Sequence, residues 1–151
     1  MNHKQIFISI CLICINYVDA QNFELIKSFV GNTEKSEIIS FTPNKELLLS
    51  GDFAGYLNYW FVPKQELISS KKSHNGKINR INFSENGNLF LTFSSQDNNV
   101  KVWNFKSQNV ISTFYIEQTP FFSIFYDNNS LLIGDSTGKI FHKNIYQNDK
   151  D

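Results

Sequence analysis

Three residues in the middle of the chain, His74, Asp97 and Trp103, bring an imidazole, a carboxylate and an indole N–H into one stretch. A His with an Asp is part of a general-base arrangement, but acyl or hydrolytic chemistry also needs a nucleophile against the imidazole, and none stands in such a motif. A metal site would need a third ligand, which the neighbourhood lacks. The pair therefore reads as structural rather than catalytic. Two other patterns are weaker still. Cys11 and Cys14 form an isolated C-x-x-C inside the apolar run "IFISICLICI", with no second pair, no histidine cluster and no helix start after a strand, so they read as two small buried hydrophobes. The stretch "GDSTGK" at 134–139 has three residues between its glycines where a phosphate loop has four, and Ile140 where that loop needs a hydroxyl. Asp52, Asp97 and Asp135 each lie in or beside a turn that explains them. We expect no catalytic, cofactor-binding or metal-ligating residue, and no cofactor.

The elements that must carry these residues emerge from self-comparison. Phe41, Phe83 and Phe125 recur every 42 residues, as do Leu47, Leu89 and Leu131, and again Leu49, Leu91 and Ile133. The segments "FTPNKELLLSGD", "FSENGNLFLTFS" and "FYDNNSLLIGDS" share an aromatic at a strand end, a polar turn of about five residues, and an apolar strand with period-two alternation. Each continues through a second tight turn in "GDFAGYLNYW", "SSQDNNVKVW" and "GDSTGKIFHK", and a fourth strand follows in "ELIKSF", "ELISSK" and "NVISTF". Four short strands repeated at this period make the blade of a β-propeller. The fold class is all-β, an incomplete propeller arc of about three four-stranded antiparallel blades.

The segment "SHNGKINRINFSENGNLFLTFSSQDNNVKVWN" from Ser73 onward resembles a WD-repeat, with Ser73 where that family usually has Gly and Asn104 where it usually has the Asp after Trp. The resemblance implies a buried polar chain from the His before the first strand through a hydroxyl in the second to the turn Asp and the Trp. By position these are His74, Phe93, Asp97 and Trp103, and Phe93 would interrupt the chain because it cannot hydrogen bond. The first unit offers Asn32, Ser50, Ala54 and Trp60 in these places, and the third has Thr137 and Lys143 for the turn and Trp positions. One locked blade between two softer ones is the expectation.

Residues 1–13 read as an apolar leader or a divergent strand. Residues 1–20 have the outline of a secretory signal peptide, and the apolar span is too short for a membrane helix. Yet "INYVDAQNFELIKS" matches "LNYWFVPKQELISS" one period later, which favours Ile15–Phe29 as the third and fourth strands of a blade. The blade units then run about 15–31, 32–73, 74–116 and 117–145, giving an arc over 14–146 and a polar tail at 147–151. An arc of this size cannot close, so it needs further blades from another chain or a longer gene product. The sequons at Asn82 and Asn128 decide nothing in an Asn-rich chain.

Of 151 residues, fourteen are basic and fourteen acidic, with no run of one sign, so the footprint of a nucleic-acid or anionic-membrane binder is absent and partners are expected to be proteins. The resemblance implies a non-catalytic scaffold, cytoplasmic if residues 1–20 are not cleaved, with contacts where a fourth strand passes to the next first strand: Asn75, Lys77 and Arg80 beside His74, and then Gln118, Phe121 and Phe122. At least one of those two phenylalanines is expected to turn into the core between blades. The alternatives are a secreted propeller-type enzyme and a truncated copy without independent activity.

Overall fold

A computed structural model describes Phe29 and residues 34–147. The period-two runs form eleven strands: β1 (Ser36–Phe41), β2 (Leu47–Asp52), β3 (Tyr56–Phe61) and β4 (Glu66–Lys72); β5 (Arg80–Phe83), β6 (Leu89–Ser94), β7 (Asn99–Asn104) and β8 (Asn109–Tyr115); then β9 (Pro120–Phe125), β10 (Ser130–Asp135) and β11 (Ile140–Asn144). They pair in chain order as antiparallel sheets β1-β2-β3-β4, β5-β6-β7-β8 and β9-β10-β11. The expected arc of blades is thus present, with three strands in the third sheet among the described residues. The leader, the repeat unit at 15–31 apart from Phe29, both cysteines, Asn32 and the tail beyond Gln147 lie outside the described residues.

Why hairpins form at these places is visible in the turns. Thr42 Oγ1 accepts from Leu47 N–H at 3.1 Å and donates to Asn44 Oδ1 at 2.7 Å, and Ser84 does the same with Leu89 at 3.1 Å and Asn86 at 2.9 Å. Short hydroxyl and amide side chains hold their own backbone here, as turn formers do. The β2–β3, β6–β7 and β10–β11 turns each place one residue in the left-handed region: Gly55, Asn98 and Gly138. Gly or Asn tolerates that conformation at least cost.

The third hairpin departs from the 42-residue spacing. Thr42 N–H reaches Leu47 O and Ser84 N–H reaches Leu89 O, but Tyr126 N–H reaches Ser130 O, so the last turn is shorter by one residue. Leu131 consequently pairs with Phe125 as Leu48 pairs with Phe41 and Phe90 with Phe83. Its counterparts are therefore Leu48 and Phe90, not the Leu47 and Leu89 that the count suggests. Because side chains alternate, one residue decides which face a strand buries.

Each blade buries one face against its neighbour. Leu49, Leu57 and Tyr59 of the first blade meet Ile78, Ile81, Phe90 and Trp103. Leu89, Leu91, Phe93, Val100, Val102 and Phe114 on the other side of the second blade meet Leu131, Ile133 and Ile145 of the third. Phe90 stacks on Trp103 with ring planes 5° apart and centroids 5.8 Å apart. Lys71 ties the outer strands of the first two blades, its Nζ lying 2.9 Å from Gln108 O and 5.3 Å from the Trp103 ring centroid. One period earlier, Phe29 meets Trp60 edge-on at 5.8 Å, in the place Lys71 takes beside Trp103.

Candidate functional site

The end of the blades where β4 hands over to β5 and β8 to β9 gathers the residues singled out above. Trp103 Nε1–H donates to Thr92 Oγ1 at 2.9 Å, and Thr92 Oγ1 lies 2.8 Å from His74 Nε2. His74 Nδ1 lies 3.0 Å from Asp97 Oδ2, and the backbone N–H groups of Asn75 and Asn99 also donate to that carboxylate, at 2.9 and 3.0 Å. An indole N–H can only donate and a carboxylate can only accept, so the chain has one direction: Trp103 to Thr92, Thr92 O–H to Nε2, Nδ1–H to Asp97. A neutral imidazole with its proton on Nδ1 is the tautomer this requires. Burial lowers the His74 pKa below its ordinary value, against the opposing pull of Asp97, in keeping with that neutral form. Partial burial pushes the Asp97 carboxyl up, but the N–H of Asn75, the His74 ring and the N–H of Asn99 together hold it below the usual range.

The hydroxyl in this chain is Thr92, not the Phe93 position that motif spacing indicates. Phe93 pairs with Arg80 and points to the opposite face, into the core shared with the third blade, so nothing interrupts the chain. In the first blade Trp60 Nε1–H donates to Ser50 Oγ at 2.9 Å, the same contact without the imidazole. The third blade has Ile133 and Lys143 in the hydroxyl and Trp places, and its strands are joined instead by His142 Nε2 and Ser130 Oγ, 3.0 Å apart. Neither flanking turn is left slack. Asp52 Oδ1 accepts from Tyr56 N–H at 2.8 Å, and Asp135 Oδ1 accepts from the N–H groups of Thr137 and Lys139 at 2.8 and 3.0 Å. All three aspartates are thus committed to turns. Among the described residues no three His, Cys, Asp or Glu side chains gather as a metal site needs.

The six expected contact residues separate in space. Arg80 and Phe121 come together across the boundary of the second and third blades, where they line a cleft of about 380 Å³ with Asn79, Phe93, Ser95, Thr119 and Pro120. Phe121 is 74% exposed, and Arg80 is exposed with no ion pair among the described residues. Asn75 lies exposed above Asp97, and Gln118 is exposed in the β8–β9 connection. Lys77 pairs with Glu37 at 3.2 Å and lies 5.3 Å from the Phe53 ring centroid. Phe122 faces away from the cleft, its ring lying where a side chain at Gly134 would stand. Neither Phe121 nor Phe122, at 74% and 38% exposed, is buried, which corrects the expectation that one of them enters the core. Alternation does put them on opposite faces: Phe121 stands at the open cleft, and Phe122 lies with the exposed Ile124 on the outer face of the third blade, which no further blade covers among the described residues.

The corresponding boundary between the first and second blades is closed. Gly51 stands opposite Ile38 as Phe93 stands opposite Arg80, and the space its missing side chain leaves is filled by Ile78, which is fully buried; a Cβ on Gly51 would sit 2.6 Å from Ile78 Cβ. Motif reading missed Asn79, Ser95, Thr119 and Pro120 as cleft residues, because none belongs to a recognisable pattern. The signal available for them was position: each lies within a strand start or turn at the same end.

No helix among the described residues is long and apolar enough to cross a membrane. Comparison with known proteins finds that residues 65–104 match the family described as WD domain, G-beta repeat. Pre-mRNA-processing factor 17 of Saccharomyces cerevisiae is 28% identical over 79% of this chain and 27% of its own length. Polyadenylation factor subunit 2 of Candida albicans is 33% identical over 57% of this chain and 15% of its own length. The chain therefore spans about a quarter or less of these relatives. Among solved structures, the Cps50 (Swd1) β-propeller domain of Myceliophteria thermophila superposes with a TM-score of 0.71 at 12% identity, over 79% of this chain and 37% of that one. With hairpin blades in series, the His–Thr–Trp hydrogen-bond chain in the middle blade and a WD-repeat match running from β4 through β7, the chain has the β-propeller fold and carries a segment similar to a WD repeat.

Proposed function

We propose that the chain is a non-catalytic scaffold that binds protein partners, and that the cleft between the second and third blades is one of its contact surfaces. The observation that carries this is the contrast between the two blade boundaries: the first is plugged by Ile78, while the second is left open beneath an exposed ring and a guanidinium with no ion pair among the described residues. Rigid strands hold that opening in place, and variable connections decide what it touches. The commitment of Asp52, Asp97 and Asp135 to turn backbone, and of His74 to Thr92, speaks against acid–base work by these groups. Charge balance speaks for protein over nucleic acid. The names of the relatives, which refer to pre-mRNA processing and polyadenylation, favour an intracellular role, and we take it to be exerted in the cytoplasm with further blades from a longer product or a second chain completing the arc.

The test is affinity capture from the native cell with the wild-type chain and with Phe121→Ala and Arg80→Gln, all three melting alike. Proteins retained by the wild type and lost by both variants are expected. Identical retained sets would refute the cleft as a contact surface.

A further inference from the structure

The cleft between β5 and β9 also specifies what kind of partner it accepts. Its charged and amide side chains offer donors, beside the hydroxyls of Ser95 and Thr119, which can donate or accept. Arg80 presents a guanidinium, and Asn79 Oδ1 already accepts from Ser95 N–H at 2.8 Å, which leaves the Asn79 NH₂ as the free end of that amide. The bonded partner is a backbone N–H, so the oxygen assignment is not open to a flip. Among the described residues no carboxylate lines the cleft. The apolar part of the wall is Phe93 and Pro120, both buried, and the exposed ring of Phe121.

The neighbouring boundary shows what such a cation does when a partner is present. There Glu37, at the start of β1, meets Lys77, in the approach to β5, at 3.2 Å. One blade further on, the residue in the place of Glu37 is Asn79 and that in the place of Lys77 is Thr119. Both members of that pair are therefore replaced, and Arg80, in the place of Ile38, has no carboxylate paired with it among the described residues.

Resting on the reading of this cleft as a contact surface, we propose that it takes an extended protein segment in which a carboxylate side chain lies next to an aromatic residue. The carboxylate pairs with Arg80 through two parallel N–H···O bonds, a geometry that a planar guanidinium matches. The ring enters the apolar wall formed by Phe93, Pro120 and Phe121, where aromatic contact adds to burial. At about 380 Å³ the space equals that of roughly a dozen waters, which suits two adjoining side chains rather than a folded surface. A single-stranded nucleic acid could also use a ring and a cation, but it needs a track of cations along its backbone, and one guanidinium does not make one.

The probe is a capped, fluorescein-labelled hexapeptide with a central Phe–Asp pair, titrated into the full chain and followed by anisotropy and by amide chemical-shift mapping. Binding is expected with shifts at Thr119 and Phe121, at least tenfold weaker for the Phe–Asn peptide and for Arg80→Gln, and restored in Arg80→Glu by a Phe–Lys peptide. Phe121→Ala should weaken the Phe–Asp peptide while leaving the melt unchanged. Equal binding of the Phe–Asn peptide, with shifts still at the cleft, would overturn the acidic partner and leave the contact surface standing. Absence of shifts at the cleft with every peptide would overturn both. Displacement of the peptide by oligo-uridine at moderate salt would overturn the protein segment in favour of nucleic acid.

Discussion

Replacing Thr92 by Val tests the account of the middle blade most sharply, because it changes shape little and chemistry completely. The hydroxyl bridges two buried groups, accepting from Trp103 Nε1–H at 2.9 Å and donating to His74 Nε2 at 2.8 Å. Thr92 is fully buried, Trp103 is 1% exposed and His74 2%, so no water replaces the lost partner. Leaving a buried polar group unmatched costs about 1–3 kcal/mol, and here two are left, offset in part by the more apolar methyl; we expect a net loss of about 3 kcal/mol. For a chain of this size that corresponds to a drop of about 6–12 °C in Tm. Thr113→Val on the exposed outer strand β8 is the control and should stay within about 0.5 kcal/mol of wild type. Urea and thermal melts at pH 7.5 read both. A double-mutant cycle with Trp103→Phe should give a coupling of 1 kcal/mol or more, as residues in one hydrogen-bond chain do. If Thr92→Val and Thr113→Val melt alike, or if the cycle shows no coupling, the directed chain does not hold the blade.

Three further outcomes follow from the same structure. Because His74 has a folded-state pKa below its ordinary value of about 6.5, the unfolded chain binds the extra proton; stability should be full above that pH and fall as pH drops toward the folded value, with Asp97 adding a second loss below its own ordinary range, and His74→Gln should flatten the melt-versus-pH slope in the first window. Gly55→Ala should cost more than about 3 kcal/mol, since a Cβ there meets the carbonyl oxygens of His74 and Gly76 at 2.2 and 2.6 Å, whereas Gly138→Ala has the same left-handed backbone and nothing within 4 Å, and should cost only the strain of about 1–2 kcal/mol; equal losses by urea melt would contradict this. Ile78→Ala should lose about 2–5 kcal/mol by the same measurement, because it empties the plug between the first two blades rather than trimming a surface residue.

Strand identity and hairpin order were legible in the sequence because the period-two apolar runs and the Asn, Ser and Gly turns agree at every repeat. Register was less so. Ser50 contacts Trp60, and one period on from Ser50 is Thr92, a firmer guide than the motif spacing that leads to Phe93. The deletion in the third turn could not be seen by counting, since Leu131 and Ile133 are apolar in either register and only pairing tells which face they take. The cleft escaped for another reason. It is a difference between two boundaries, made by Gly51 and Ile78 at one and Phe93 and Pro120 at the other, and such a difference exists only once blades are set side by side.

The placement of the indoles has a use in spectroscopy. The chain has two tryptophans, and the structure puts one in each of the first two blades, both 1% exposed and both with the ring N–H held by a hydroxyl. Their emission should shift to the red when either blade opens to water, while the third blade, which has none, stays dark to this probe. Trp60→Phe and Trp103→Phe each leave a single emitter, so the first and second blades can be followed one at a time. A stepwise loss of signal would mean that the repeats come apart in sequence, and a common midpoint would mean that the arc melts as one cooperative body.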